Sequence, residues 1–258
     1  TNTNTTARDY DDQNRNSFSP VDIGADAGNF SVCPVADAGP DYVVFAGTKL
    51  RLGNPTPNNN VNHLWFAPLI GLTSTEANPI VTIPSNVNII YTITSGSCES
   101  RDTSYIMTLT APPTIACPGG NISIYALVLG STYQWQVDTG NGFTNISNNA
   151  IYSGAQTNVL NLQQVPSSYY GYAYRCISGD LTSTAQILTF ENRWTGSIDN
   201  SWHNPGNWSC GVIPDGGTDV YITSGTVVLG ANGICRTLHV EPNASFTIGN
   251  GFNLTITH

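Results

Sequence analysis

The segment Gly171-Tyr172-Ala173-Tyr174-Arg175-Cys176 decides how the middle of this chain folds. Its closing cysteine follows Tyr174 by two residues, and Cys117 and Trp135 lie upstream of it in that order. Short stretches that suit strands surround this pattern at roughly 8–12-residue spacing, with turn residues between them. We find no periodic pattern for a helix of about ten residues or more, so we predict an all-β fold.

Cys117, Trp135 and Cys176 stand in the order and approximate spacing of an immunoglobulin-type domain, which this part of the chain resembles. In that fold a tryptophan packs on a disulfide between strands B and F, and a tyrosine two residues before the second cysteine forms a corner hydrogen bond. The resemblance implies a Cys117–Cys176 disulfide in the core, beside Trp135 and Tyr174. Their implied role is structural, and reduction is expected to unfold this domain first.

Longer strings resemble the Ig-like repeats of secreted Bacteroidota proteins. Residues 133–136 (YQWQ) and 142–146 (GFTNI) carry this resemblance, with residues 152–154 (YSG) leading to Leu160 and Leu162. Such repeats occur in adhesins, in filaments and as appendages of secreted enzymes. The resemblance therefore implies location and architecture rather than an activity.

The first part of the chain resembles the PKD-like or gliding-motility-associated repeats of the same proteins. This resemblance implies a Cys33–Cys98 disulfide, although the family usually has its first cysteine where this chain has Phe45. The segments that carry it are residues 36–41 (ADAGPD), 65–72 (WFAPLIGL) and 77–79 (ANP).

The last part resembles a tryptophan-rich segment of large surface proteins from the same group, where it often precedes stacked, solenoid-like β sequence. Cys210 and Cys235 are then expected as the remaining disulfide. The matching residues, written WTG…NPxNWS, are Trp194-Thr195-Gly196, Trp202, Asn204-Pro205, Asn207-Trp208-Ser209, and Gly211 with Pro214.

These observations predict an all-β chain of tandem Ig-like or PKD-like β-sandwiches followed by a β-rich, solenoid-like module. Its predicted parts are a polar N-terminal extension (1–30), a PKD/Ig-like sandwich (31–111), an Ig-like sandwich (112–191) and a Trp-rich β module (192–258). The extension is either a mobile tail or a segment that becomes ordered on a neighbouring subunit.

Composition excludes several classes of function. Only 10% of the residues are charged and the net charge is −9, so the chain cannot form the basic face of a nucleic-acid binder. The 28 Asn and 30 Thr suit turns and strands. No apolar run near 18 residues predicts a membrane span. The six cysteines form no C-x-x-C pair, which favours disulfides and an extracellular or cell-surface location.

The sequence contains no recognisable catalytic constellation, so we predict no enzyme activity, no cofactor and no metal. The four histidines show no metal-binding motif, and no nucleophile elbow is present. Asp215 and Asp219 flank Gly216-Gly217, and carboxylates near such a turn can hold calcium. A plain turn is the favoured interpretation.

Two function hypotheses follow. The first is a structural subunit of an extracellular filament or cell-surface assembly, in which copies of the chain join head to tail by strand or edge pairing. The alternative is a carbohydrate-binding or adhesive module of a larger secreted protein, with surface glycans as partners. Trp194, Trp202 and Trp208 would then form a sugar-stacking face, although a role in the core is favoured for them.

Overall fold

The computed structural model describes residues 33–53, 57 and 60–258, so the extension predicted for residues 1–30 lies outside the described residues. The described part is built of strands and three short 3-10 turns, at Pro68–Ile70, Ser167–Tyr169 and Pro205–Asn207, which confirms the all-β class. None of its helices is long and apolar enough to cross a membrane. The strands are β1 (Tyr42–Phe45), β2 (Thr48–Arg51), β3 (Asn62–Ala67), β4 (Leu72–Ser74), β5 (Ile80–Ile83), β6 (Val87–Ser95), β7 (Cys98–Leu109), β8 (Ile115–Ala116), β9 (Gly120–Tyr125), β10 (Gln134–Asp138), β11 (Phe143–Asn145), β12 (Tyr152–Ser153), β13 (Val159–Val165), β14 (Ala173–Ser178), β15 (Leu181–Thr182), β16 (Gln186–Ile187), β17 (Thr189–Arg193), β18 (Asp219–Ile222), β19 (Gly225–Leu229), β20 (Gly233–Cys235), β21 (Thr237–Val240), β22 (Ala244–Ile248) and β23 (Leu254–Ile256).

The first sandwich comprises strands β1 to β7. A five-stranded sheet in the order β1-β7-β6-β3-β4 packs on the β2-β5 pair, and only β1 and β7 run parallel. The inward residues alternate along the strands, as expected for sheets with one wet face. Trp65 is fully buried at the centre and stacks on Tyr91, with ring centroids 4.0 Å apart.

The second sandwich comprises strands β8 to β17, and its strand order is that of an immunoglobulin domain. The sheet β12-β13-β9 packs on the sheet β11-β10-β14-β15, as strands D-E-B pack on C′-C-F-G. Trp135 on β10 lies opposite Cys176 on β14, and both side chains are fully buried. The Tyr174 hydroxyl is 3.1 Å from the Tyr152 hydroxyl, so its hydrogen bond joins two side chains. The chain thus contains two Ig-like sandwiches in tandem.

The disulfides differ from the expected set. The structure contains Cys33–Cys98 and Cys117–Cys210, while Cys176 and Cys235 are free and buried. The predicted Cys117–Cys176 and Cys210–Cys235 pairs are therefore wrong. The expectation that reduction unfolds the second sandwich first loses its premise, because its disulfide is not in its core.

The position of Cys117 explains the error. Cys117 precedes β9, and the chain turns there, with the Gly120 amide donating to the Cys117 carbonyl at 2.9 Å. The inward positions of β9 are occupied by Ile122 and Ile124, so no cysteine on that strand faces Cys176. Pro118-Gly119-Gly120 is the local signal of this turn.

The last part of the chain, the coil module (residues 194–258), contains two stacked coils. Strands β18, β19 and β20 form the first coil, and β21, β22 and β23 form the second. Each strand pairs in parallel with its counterpart, as in Thr226↔Ser245 between β19 and β22. Val220, Val227 and Leu229 are fully buried inside the first coil.

Backbone hydrogen bonds join the two sandwiches. The Lys49 amide on β2 donates to the Leu127 carbonyl at 3.0 Å, and the Leu129 amide donates to the Lys49 carbonyl at 2.9 Å. A short segment of the second sandwich thereby extends the β2-β5 sheet of the first. The Lys49 ammonium also donates to the Thr182 carbonyl at 2.9 Å. The lone lysine of the chain is thus part of this junction.

The second sandwich and the coil module share a strand. The first residues of β17, Thr189 and Phe190, pair with β8, and Glu191 to Arg193 pair with β18 of the first coil. β17 therefore crosses the boundary predicted between residues 191 and 192. The Cys117–Cys210 disulfide and a close approach of Gly217 to Ser167 hold the same two parts together.

Gly217→Ala should destabilise this junction. A Cβ at residue 217 would lie 2.5 Å from the Ser167 carbonyl oxygen, which belongs to backbone and cannot move freely. We expect a loss of about 1–3 kcal/mol in the free energy of unfolding, typical of overpacking, measured by urea denaturation. Gly230→Ala is the matched control, because its Cβ would meet nothing within 4 Å. Equal stability of the two variants would contradict this packing.

Counting thiols tests the disulfide arrangement. Burial raises the pKa of both the Cys176 and Cys235 thiols to about 11, with the Asp219 charge adding to the effect at Cys235. Since the thiolate is the reactive form, native protein at pH 8 should react negligibly with Ellman's reagent. Denaturant without reductant should expose two thiols, whereas the pairing Cys117–Cys176 with Cys210–Cys235 would expose none.

Candidate functional site: the open edge of the second coil

Three of the four histidines lie apart from one another and contact other polar groups. The His63 Nδ1 lies 2.6 Å from the Tyr91 hydroxyl, the His203 Nε2 lies 3.1 Å from the Asn232 carbonyl, and the exposed His239 pairs with Glu241. Among the described residues, no group of three or more His, Cys, Asp or Glu could hold a metal ion.

Asp215 is part of the junction between the second sandwich and the coil module. Its Oδ1 accepts hydrogen bonds from the Thr218 hydroxyl at 2.7 Å and the Gly217 amide at 3.0 Å. Its Oδ2 accepts one from the Ser167 hydroxyl of the sandwich at 2.7 Å. Both carboxylate oxygens are therefore occupied by donors of the chain, which supports the plain-turn interpretation over a calcium site.

Asp219 forms a second polar contact across the same junction. Asp219 as a residue is 8% exposed, and its carboxylate accepts hydrogen bonds from Tyr170 at 2.9 Å, Arg236 at 2.9 Å and Thr237 at 2.6 Å. The Arg236 guanidinium lies over the Tyr170 ring, 3.9 Å from its centroid. Burial first, and then the hydrogen bond to Asp219, raise the pKa of the Tyr170 hydroxyl. A buried carboxylate paired in this way stabilises the joint rather than binding a ligand.

The three tryptophans of the coil module form its core, so the prediction that they form a sugar-stacking face is wrong. Trp194 is 6% exposed, Trp202 is 0% and Trp208 is 3%. The Trp208 ring packs edge-on against both others, with centroids 5.1 Å from Trp194 and 4.8 Å from Trp202. Buried rings cannot offer a face to a sugar. In addition, the Trp208 Nε1 donates a hydrogen bond to the Trp202 carbonyl oxygen at 2.7 Å.

Asn207 organises the loop that carries these tryptophans, and the sequence interpretation assigned it no role. Its side-chain oxygen accepts hydrogen bonds from the amides of Ile198 and Asp199, at 2.9 and 3.0 Å. Its side-chain nitrogen donates to the Asp199 carboxylate at 2.6 Å and the Ser201 carbonyl at 2.9 Å. All four capacities of a fully buried amide are thus satisfied. The NPxNW spacing is the signal that identifies it.

The same loop closes one end of the coil stack. Ser201 forms a parallel bridge with Val228 of β19, and two backbone hydrogen bonds support it. The Val228 amide donates to the Asn200 carbonyl at 2.7 Å, and the Trp202 amide donates to the Val228 carbonyl at 3.0 Å. Together with β17 beside β18, this loop covers two of the three strands of the first coil.

The opposite end of the stack is open. β21, β22 and β23 each pair with one strand of the first coil, and in the described part of the chain no strand pairs with their outer edges. Apolar side chains along this coil remain partly exposed, and they are Val240 (37%), Ile248 (44%), Phe252 (39%) and Ile256 (38%). We call this surface the open edge, and it comprises the outer edges of β21, β22 and β23.

The open edge has almost no charge. Glu241 is the single Asp, Glu, Lys or Arg residue from Thr237 to His258, and β22 and β23 contain none. Natural proteins protect exposed edges with lysine, proline or bulges. A second edge without charged side chains is the outer side of β5, which among the described residues pairs with β2 alone and exposes 47% of Ile80.

Comparison with known proteins finds one matching family. Residues 193–258 match the family described as "Domain of unknown function (DUF8693)", and this range covers the coil module with its tryptophan loop. No protein with curated annotation is significantly similar to the chain in sequence.

Some solved structures are similar to this chain. A pair of titin Ig domains is 11% identical, with a TM-score of 0.23, over 58% of this chain and 92% of that chain. Sidekick-1 immunoglobulin domains 1–4 are 13% identical, with a TM-score of 0.25, over 60% of this chain and 46% of that chain. The tandem Ig repeats of Dlar are 12% identical, with a TM-score of 0.24, over 61% and 96%. The Ig-like fold is therefore assigned from strand order, which in the second sandwich is that of strands D-E-B packed on C′-C-F-G.

Replacing Asn207 should destabilise the tryptophan loop. Asn207→Ala leaves buried amides and a carbonyl without their partners, and each such group costs about 1–3 kcal/mol. We expect a lower midpoint of urea denaturation and faster hydrogen exchange of the loop amides. Asn243→Ala is the matched control, because Asn243 is exposed on the same module. An unchanged midpoint for Asn207→Ala would contradict the assigned role.

Proposed function

We propose that this chain is a structural subunit of an extracellular filament or cell-surface assembly, in which copies join by pairing strand edges. The observation that carries the proposal is the open edge. One end of the coil stack is covered by β17 and the tryptophan loop, whereas at the other end three strands have outer edges that no described strand covers. Stacked repeats need a polar cap at each end to remain soluble alone.

The charge distribution supports pairing at this edge. The unpaired amides and carbonyls of an edge strand form a template for another strand, and charged side chains are the usual protection. β22 and β23 lack such protection, and so does β5 in the first sandwich. Two different open edges on one chain are what a head-to-tail contact requires, and such contacts produce fibres instead of closed rings.

The joints between the modules support a structural role. Backbone hydrogen bonds connect the two sandwiches, and a shared strand and a disulfide connect the second sandwich to the coil module. A filament subunit must transmit force and orientation from one contact to the next. Joints of this kind do so better than flexible linkers.

We further infer that the chain comes from a secreted surface protein of Bacteroidota. The support is the resemblance of residues 36–41 and 65–72 to PKD-like or gliding-motility-associated repeats, and of the WTG…NPxNWS residues to the tryptophan-rich segment. Two disulfides favour an oxidising, extracellular location. The alternative, a carbohydrate-binding module, loses its support, because the three tryptophans predicted to stack on sugars are buried.

A lysine on the open edge should weaken assembly. Ser245→Lys places a charged side chain on the edge strand β22, and such a charge is a usual protection of a sheet edge against pairing. We expect the concentration needed for assembly to rise at least about tenfold, equivalent to about 1.4 kcal/mol. Sedimentation velocity over a concentration series and negative-stain microscopy of the full chain would measure it.

Thr226→Lys is the matched control for this experiment. Thr226 is the register partner of Ser245 on β19, so the same charge lies one coil away from the open edge. A monomer at all concentrations, or equal effects of both substitutions, would contradict the proposal. Deleting residues 1–30 distinguishes two segments of a neighbouring copy that could pair with the open edge. Loss of assembly indicates that residues 1–30 pair with it. Unchanged assembly indicates that a sheet edge such as β5 pairs with it.

A further inference from the structure

Each disulfide spans nearly a whole sandwich. Cys33 precedes β1 and bonds Cys98 at the start of β7, with a sequence separation of 65. Cys117 precedes β9 and bonds Cys210, which lies beyond β17, with a sequence separation of 93. Strands β1 to β6 therefore lie inside one closed covalent loop, and strands β9 to β17 lie inside another.

We propose that these two disulfides carry tension around both sandwiches, so that pulling on the chain ends does not unfold them. Force follows the shortest covalent route from one terminus to the other. That route crosses from Cys33 to Cys98, continues through residues 99–116, and crosses from Cys117 to Cys210. Neither loop lies on this route, because a disulfide does not lengthen at forces that separate strands.

The one long strand on the route is already extended. β7 has 12 residues, from Cys98 to Leu109, and strands rise about 3.3 Å per residue. Force enters this strand at Cys98 and leaves it beyond Leu109, so it acts along a segment that has no slack. The rest of the first sandwich is attached sideways to β7 by hydrogen bonds with β6 and β1, and it carries no load.

The part of the coil module that follows the second disulfide then bears the load. Residues 211–258 follow the second disulfide, and their strands are removed one after another when the C-terminus is pulled. Full extension of this segment amounts to at most about 170 Å. The protection of both sandwiches from tension goes beyond the proposed function. It does not depend on assembly, since it concerns a single chain held at its two ends.

Single-molecule force spectroscopy of the full chain, held at both termini, tests the proposal. Within the part of the chain that the structure describes, we expect the oxidised protein to give unfolding events from residues 211–258 only. Cys33→Ser should add a length gain of about 220 Å, corresponding to the separation of 65 residues. Cys210→Ser should add about 320 Å, corresponding to the separation of 93 residues.

Two controls make the result decisive. Cys176→Ala and Cys235→Ala remove the free thiols and should add no length, although they can change the unfolding force. Adding reductant to the folded wild-type protein should produce both length gains without any substitution. This experiment therefore tests the proposal even where a Cys→Ser variant fails to fold. The proposal is overturned if oxidised wild-type protein already gives either gain, or if reductant adds neither.

Discussion

The pairing of β17 with strands on both of its sides is the constraint on which the arrangement of this chain depends. Its first residues complete the second sandwich beside β8, and its last residues form the template on which β18 and then β21 add in parallel. A strand that belongs to two modules leaves no hinge between them. The polar contacts of Asp215 and Asp219 and the Cys117–Cys210 bond then lock a geometry that the backbone already imposes.

The strands and the fold class were predictable because their signals are local. Alternating side chains and turn residues specify a strand within a few positions, and the position of Trp135 relative to Tyr174 and Cys176 is enough to predict an Ig-like sandwich. Disulfide pairing is not local. Cys117 stands close to the expected spacing, but the turn at Pro118 to Gly120 separates it from β9, and its partner belongs to another module. The predicted boundary between residues 191 and 192 fails for the same reason, because the pairing of β17 with both modules is also non-local.

The tryptophan loop shows a second limit of the sequence. Three nearby tryptophans suit a binding face as well as a core, since composition does not tell on which side of a loop the rings lie. What decides it is Asn207, whose four hydrogen bonds direct the loop over the first coil and turn the rings inward. The candidate site in the structure is therefore a set of backbone edges and not the aromatic side chains that the sequence suggested. No sequence motif identifies such edges.

The scarcity of charge has its clearest consequence at the coil stack. A lysine or glutamate on every edge would protect an isolated molecule, yet this chain has eight basic residues in all, and β22 and β23 carry none. The loop around Trp202 covers one end of the stack through backbone hydrogen bonds, so the chain can form a cap where one is required. The other end has the same parallel geometry, and within residues 33–53, 57 and 60–258 no strand covers it. That asymmetry gives the stack a direction, and a directional edge favours addition at one end, as a head-to-tail assembly demands.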